Sequence, residues 1–353
     1  MGVDRYLVCT SSHTDGTRAM IRRTRLLLSA AVFATALGAT VAATAVPATA
    51  AVGDSARKVT TSSFPDPGFA RFTTQAQGTK YYLYSTGAGF RVARSQYPDR
   101  GFSIIGKSMT ERPAWTVYSS DSRPAQLWAP HVFQTRFTPG AEQFTMYFAA
   151  RRRSDYRHCI GAATSNSPTG LFKPASAPLV CPPSGYSEAI DPVEYMSRYG
   201  NRYLVYKIGN YSPRRFQIMA IRVGNDAGLK RTGAAPRVVL SQSQIGSAVA
   251  EAPDVYRDGN GRVHLFVSRN GYKDCNYATQ VWSGPELFSM GNPRWVAGLG
   301  PTSDICGSGG AEVIKDGTTL RVAFHARQSY DPLVRPAWTG VLRWTSRGNP
   351  YLA

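Results

Sequence analysis

Glu251-Ala252-Pro253-Asp254-Val255-Tyr256, followed after a turn by Val263-His264-Leu265-Phe266-Val267, is one copy of the pattern that decides the fold. The same order of opening segment, turn signal and apolar run returns about every sixty residues. The other openings are Phe64-Pro65-Asp66-Pro67-Gly68-Phe69, Trp128-Ala129-Pro130-His131-Val132-Phe133, Ile190-Asp191-Pro192-Val193-Glu194-Tyr195 and Gly310-Ala311-Glu312-Val313-Ile314. Their runs are Tyr81-Tyr82-Leu83-Tyr84-Ser85, Phe144-Thr145-Met146-Tyr147-Phe148, Tyr203-Leu204-Val205-Tyr206 and Leu320-Arg321-Val322-Ala323-Phe324. Aromatic and β-branched runs of this length between turn residues read as strands, and no segment carries a helical apolar stripe. The predicted class is all-β. Five units of roughly three to four strands, each too small to cover its own apolar face, predict radial stacking as a five-bladed β-propeller over residues 62–353. A β-sandwich would not require the same opening segment at five evenly spaced places.

Outward from the repeats, composition narrows the class. The 353 residues are 42% hydrophobic and 11% aromatic, enough for a packed core. Lys+Arg 41 against Asp+Glu 22 gives a net charge of +19, yet only 18% of residues are charged and no reader module is present, which argues against nucleic acid as a partner. Arg22, Arg23 and Arg25 precede an apolar run from Leu26 to Val46 that ends in Ala48-Thr49-Ala50, so residues 1–50 read as a secretory signal peptide. Met20 marks residues 1–19 as an over-long start, and residues 51–61 read as a linker. Cleavage after Ala50 removes five basic and two acidic residues and leaves a charge of +16. The mature protein is expected to be secreted, monomeric and free of the membrane.

Cys9 leaves with the leader, and an even four cysteines remain in an oxidising context. Four cysteines allow three connectivities. Cys159 with Cys181 and Cys275 with Cys306 each close a short local loop, and the absence of C-x-x-C spacing speaks against zinc. Arg151-Arg152-Arg153 and Arg214-Arg215 are expected in loops as solvated surface; the functional alternative is long-range retention on an anionic polymer such as pectin-rich wall material.

In radially stacked units the opening strands lie nearest the axis, so Asp66, Asp191 and Glu251 are expected to converge on one pocket. Singly, each has a plain structural reading, since Asp-Pro opens turns. Together, a carboxylate trio in an exported, acid-poor chain suits glycosidic bond cleavage, in which a carboxylic acid protonates the leaving oxygen and a carboxylate activates water. A metal site is the competing use of three acids.

The chain resembles glycoside hydrolase family 43, the arabinanase, arabinofuranosidase and β-xylosidase group, over residues 62–350. The resemblance rests on Pro65-Asp66-Pro67, Leu127-Trp128-Ala129-Pro130, Ala162-Ala163-Thr164-Ser165 with Pro168-Thr169-Gly170-Leu171-Phe172, Ile190-Asp191-Pro192, Glu251-Ala252-Pro253 and Phe324-His325-Ala326, in that order and spacing. It implies a secreted glycosidase that acts on arabinofuranosidic or xylosidic bonds of plant polysaccharide with inversion, needing no cofactor for its chemistry. Asp66 would be the general base, Glu251 the general acid, and Asp191 the residue that orients Glu251 and raises its pKa. An inverting pair leaves room for water, so the carboxyls of Asp66 and Glu251 are expected roughly 6.5–9.5 Å apart. The alternatives are a non-catalytic, lectin-like sugar-binding propeller and a retaining fructosidase-type enzyme. The latter would carry Asn-Asp-Pro-Asn and Arg-Asp-Pro where this chain has Pro65-Asp66-Pro67-Gly68 and Ile190-Asp191-Pro192.

Two departures from the family pattern stand out. Gly307-Ser308-Gly309-Gly310 replaces a Gly-His-Gly element, which leaves His325 as the axial histidine and the expected neighbour of a structural calcium. His131 replaces an acid after Trp-Ala-Pro and is expected, with Trp128 as a stacking platform, to line the sugar pocket. Phe69, Phe133, Tyr195 and Tyr256 fall on the packing face of their strands.

Overall fold

Alternating apolar runs joined by turns such as Asp258-Gly259-Asn260-Gly261 fold into successive antiparallel hairpins. The computed structural model describes residues 55–117, 127–246, 248–300, 305–330 and 332–353. The expected signal peptide lies outside them. Among the described residues the one helix is Gln242–Ile245, and no helix is long and apolar enough to cross a membrane.

Five opening strands are present: Gly68–Thr74, Trp128–Arg136, Glu188–Met196, Ala250–Arg257 and Cys306–Asp316. Each pairs antiparallel with the run predicted to follow it. Each opening strand also packs beside the next, and Cys306–Asp316 returns to Gly68–Thr74. The approach is close: a Cβ at Gly68 would meet the Pro130 carbonyl oxygen at 2.1 Å.

The five-bladed β-propeller is corrected by the sheet topology. The strands form four open sheets of four, eight, four and five strands, and none closes on itself. The second and third units, expected as separate blades, are one sheet because Glu188 pairs in parallel with His158. The connecting segment causes this. Its Leu179 and Val180 hydrogen-bond the Ile160 backbone, Cys181 is disulfide-bonded to Cys159, and the chain is thereby led along the His158–Ser165 strand into Glu188. Residues Arg57–Lys58, placed in the linker from sequence, pair with Ala337–Trp344 and join the last sheet. Arg214 and Arg215 begin the Arg214–Val223 strand instead of lying in a loop.

The apolar faces are covered between units. Phe72, Tyr82 and Tyr84 of the first sheet meet Phe144, Met146 and Phe148 of the second. Val193, Val205 and Ile218 meet Val263, Leu265 and Trp282, and Phe266 and Val281 meet Val322 and Phe324. Phe69, Phe133 and Tyr195 are buried as expected, and Tyr256 is half-buried. Both expected disulfides are formed, Cys159–Cys181 and Cys275–Cys306.

Because Cys159–Cys181 closes the segment that joins two units, replacing both cysteines by alanine should lower unfolding free energy by about 3 kcal/mol. Urea titration of the oxidised parent and the double variant measures it; coincident midpoints would show that the backbone ladder alone fixes the segment.

Candidate active site

At one point in each opening segment the backbone turns left-handed, with φ of 51° at Asp66, 46° at Ala129, 53° at Asp191, 49° at Ala252 and 62° at Gly310. Four of the five precede a proline, which disfavours the right-handed helical region for the residue before it. Ladder register breaks there, between Trp128 and His131, Ile190 and Val193, Glu251 and Asp254, and Gly309 and Glu312. These are β-bulges, which re-aim side chains. Left-handed backbone costs an L-residue about 1–2 kcal/mol, so it needs fixing from outside. Neighbouring units supply it. The Asp66 N–H donates to His325 Nδ1 (3.1 Å), the Ala129 N–H to Thr86 Oγ1 (2.8 Å), the Ala252 N–H to Asp191 Oδ2 (2.8 Å) and the Gly310 N–H to Ser268 Oγ (2.8 Å).

Above the bulges lies a cavity of about 360 Å³ lined by Asp66, Asp191, Glu251 and Trp128, with Tyr272 and Tyr277 among its walls. The three acids read from sequence therefore meet. Asp66 Oδ2 accepts from Thr86 Oγ1 (2.6 Å) and Oδ1 from Arg335 Nη1 (3.2 Å). Lys207, fully buried, reaches Glu251 Oε2 (3.0 Å), Glu188 Oε1 (2.8 Å) and the Tyr211 hydroxyl (3.3 Å). The indole of Trp128 stacks on the His158 ring, with centroids 4.2 Å apart.

The electrostatics separate the acids. Burial pushes the Asp66 carboxyl up, but the Arg335 guanidinium and the Thr86 hydroxyl outweigh it and hold Asp66 below the usual carboxylate range. His325 contributes as a neutral acceptor, since burial and Arg335 push its imidazole down to about 3. Its Nδ1 takes the Asp66 N–H, so the 3.5 Å approach to Asp66 Oδ1 is not an ion pair. Asp191 goes the other way. Burial and the neighbouring Glu251 charge push it up to about 8, against the pull of Lys207. Lys207 stays charged despite burial because Glu251 and Glu188 raise it well above its ordinary value.

The histidines fall elsewhere than expected. His131 does not line the cavity. It sits one layer down in a channel of about 40 Å³, with Nδ1 2.9 Å from Glu312 Oε1 and Asp254 beside it. Burial lowers the His131 pKa, but the Glu312 charge outweighs it and the net direction is up. Burial and Glu312 push Asp254 up to about 7. The surroundings of His325 do not fit calcium, because Nδ1 is taken by Asp66 and Nε2 faces the Arg335 guanidinium at 3.3 Å. Among the described residues no three His, Cys, Asp or Glu side chains stand so that they could hold one metal ion. The missing Gly-His-Gly histidine has a steric reason: a Cβ on Gly309 would sit 2.1 Å from Tyr277 Cε1, and one on Gly310 3.0 Å from His325 Nδ1.

Sequence reasoning missed Lys207, Glu188, Thr86 and Arg335. Lys207 carried a signal, as a lone cation ending the apolar run Tyr203-Leu204-Val205-Tyr206. Arg335 carried none.

The model of the glycosyl hydrolases family 43 matches residues 58–350. The extracellular exo-α-(1→5)-L-arabinofuranosidase ArbA of Cellvibrio japonicus (strain Ueda107) is 26% identical over 317 residues, 78% of this chain and 83% of that protein. Among solved structures, a thermostable family-43 glycoside hydrolase aligns with a TM-score of 0.64 at 23% identity, over 83% of this chain and 94% of that one. Cellvibrio cellulosa α-L-arabinanase complexed with arabinohexaose aligns with a TM-score of 0.64 at 18% identity, over 82% and 95%. At those identities the structural likeness speaks for the fold alone.

Asp191 binds its proton more tightly folded than unfolded, so its contribution destabilises the protein as pH rises from 3.8 to about 8. The effect is on the order of a few kcal/mol. Asp191→Asn should flatten that part of the stability–pH curve measured by urea unfolding. A curve parallel to the parent's would mean that Asp191 carries no displaced proton.

Proposed function

Since the chain belongs to glycosyl hydrolase family 43, we propose that it is an exported enzyme that cleaves arabinofuranosidic or xylosidic bonds of plant polysaccharide with inversion of configuration. One observation carries the reading: Asp66, which Arg335 and Thr86 hold as a carboxylate, and Asp191 and Glu251 face the same cavity from separate opening segments. Asp66 is the general base. With Arg335 and Thr86 holding its charge, it accepts a proton from the attacking water. Glu251 is the general acid and delivers a proton to the leaving oxygen. Lys207, already 3.0 Å from Glu251 Oε2, stabilises the carboxylate that this transfer creates. Asp191 is the positioning residue, since its Oδ2 anchors the backbone directly after Glu251. Trp128 offers an apolar face on which the pentose stacks. Export is supported by the basic–apolar leader, the two disulfides and an extracellular relative.

Glu251→Gln should lower kcat on arabinan or xylo-oligosaccharides by about 10²–10⁴-fold while oligosaccharide binding, measured by calorimetry, persists. Undiminished turnover would remove Glu251 from the acid's role. Proton NMR during early hydrolysis should show the anomer opposite to that of the substrate. A retained first product would replace water attack with a nucleophilic carboxylate.

A further inference from the structure

At the far end of the strands that carry the cavity, the turns of the last two sheets enclose a second cleft, of about 1020 Å³. Glu251 begins the Ala250–Arg257 strand and Tyr256 lies near its end, roughly 15 Å away at about 3.3 Å per residue. Four arginines line this cleft, Arg262, Arg294, Arg343 and Arg347, against one carboxylate, Asp258. All four are exposed, and among the described residues none is ion-paired.

Asp258 offsets one of the four and leaves three in excess. Its Oδ2 meets His264 Nε2 at 3.1 Å, and His264 Nδ1 meets Ser283 Oγ at 2.8 Å, so the three side chains form a closed strut in the floor. Burial lowers the His264 pKa, so the strut carries the Asp258 charge alone. The His264 ring lies between Tyr256 (centroids 6.2 Å) and Trp344 (5.1 Å), giving an aromatic wall. Two of the arginines are pre-positioned. Arg294 Nη1 donates to the Arg347 carbonyl (2.8 Å) and to Asn349 Oδ1 (2.9 Å), and Arg262 Nη2 donates to the Ser283 carbonyl (3.4 Å).

Fixed guanidinium groups beside aromatic faces select a ligand with a carboxylate on a ring that can stack. We propose that this cleft is a second binding site for uronate-bearing glycans, separate from the catalytic cavity, through which the enzyme holds acidic polysaccharide. Guanidinium groups held before the ligand arrives lose little conformational freedom on binding, so the site is preorganised. A cleft volume of about 1020 Å³, far more than a single small anion fills, suits an oligomer.

The test uses the whole chain carrying Glu251→Gln and titrates it calorimetrically with oligogalacturonate, with glucuronoxylan oligosaccharide, with neutral arabino-oligosaccharide and with dextran sulfate. Arg294→Gln with Arg343→Gln should weaken uronate binding about tenfold or more. Lys107→Gln with Arg136→Gln, an equal charge loss on exposed residues outside the cleft, should weaken it by less than about twofold. The galacturonate and glucuronate arms identify which acidic glycan is held. In the otherwise unaltered enzyme the cleft pair should leave turnover of a small neutral pentoside unchanged. Equal weakening by the two pairs, dextran sulfate binding as tight as uronate, or no uronate binding would each overturn the proposal. Loss of pentoside turnover in the parent would count against the catalytic reading and leave this one standing.

Discussion

The bond from a left-handed backbone N–H to a side chain of the adjacent unit is the constraint on which the centre of the molecule depends. His325 from the last unit holds Asp66 in the first, Thr86 of the first holds Ala129, Asp191 of the third holds Ala252, and Ser268 of the fourth holds Gly310. At Ala129, Ala252 and Gly310 the bond satisfies a donor that a bulge frees from the ladder, at Asp66 one just ahead of its strand, and each joins neighbouring units that lie in different sheets. Acids sixty or more residues apart are thereby brought to one cavity by backbone geometry. Asp191 holds the Ala252 N–H and lines the cavity with one carboxyl group.

Two cations, the half-buried Arg335 and the fully buried Lys207, then put chemically identical groups in opposite surroundings. Arg335 holds Asp66 ionised, whereas Asp191 and Glu251 share a pocket with a single lysine that Glu188 also claims. A second polar layer lies below, in which His131 answers Glu312 and Asp254 in turn accepts the Val313 N–H (2.8 Å). His131 thus gives Glu312 a partner within a narrow, acid-lined channel beneath the site. The same logic explains why His325 is unsuited to a cation: its role is to accept a backbone proton beside a fixed guanidinium.

What was legible in the sequence was local. Strand runs, the two disulfides and the three acids each follow from a few adjacent residues, and Asp-Pro or Glu-Ala-Pro marks the turn by its own chemistry. The register was less so. Aligning acid with acid set Glu251 opposite Asp66 and Asp191, but the left-handed turn puts Ala252 in their place and Glu251 one residue earlier. Assembly of the sheets depended on a loop, residues 175–187, whose docking along Ile160 no strand period reveals. Lys207 reaches Glu251 and Arg335 reaches Asp66 across units, and those partners lie far away in the chain. His131 was placed on the correct strand and assigned the wrong layer, because a bulge moves side chains off strict alternation.

The site is a source of instability that the rest of the chain must offset. Left-handed L-residues, an Asp191 that resists ionisation and a lysine buried between carboxylates each cost free energy; an apolar replacement of such a buried ion cluster is often neutral or stabilising in other proteins. The compensation is spatially separate, in aromatic clusters between neighbouring units and in disulfides near their edges. Those clusters fix each unit against the next, which is the rigidity that a relay of single hydrogen bonds requires. Removing apolar volume between two units should therefore disturb the chemistry through the angle at which one unit presents its acceptor to the other's backbone, with no cavity residue changed.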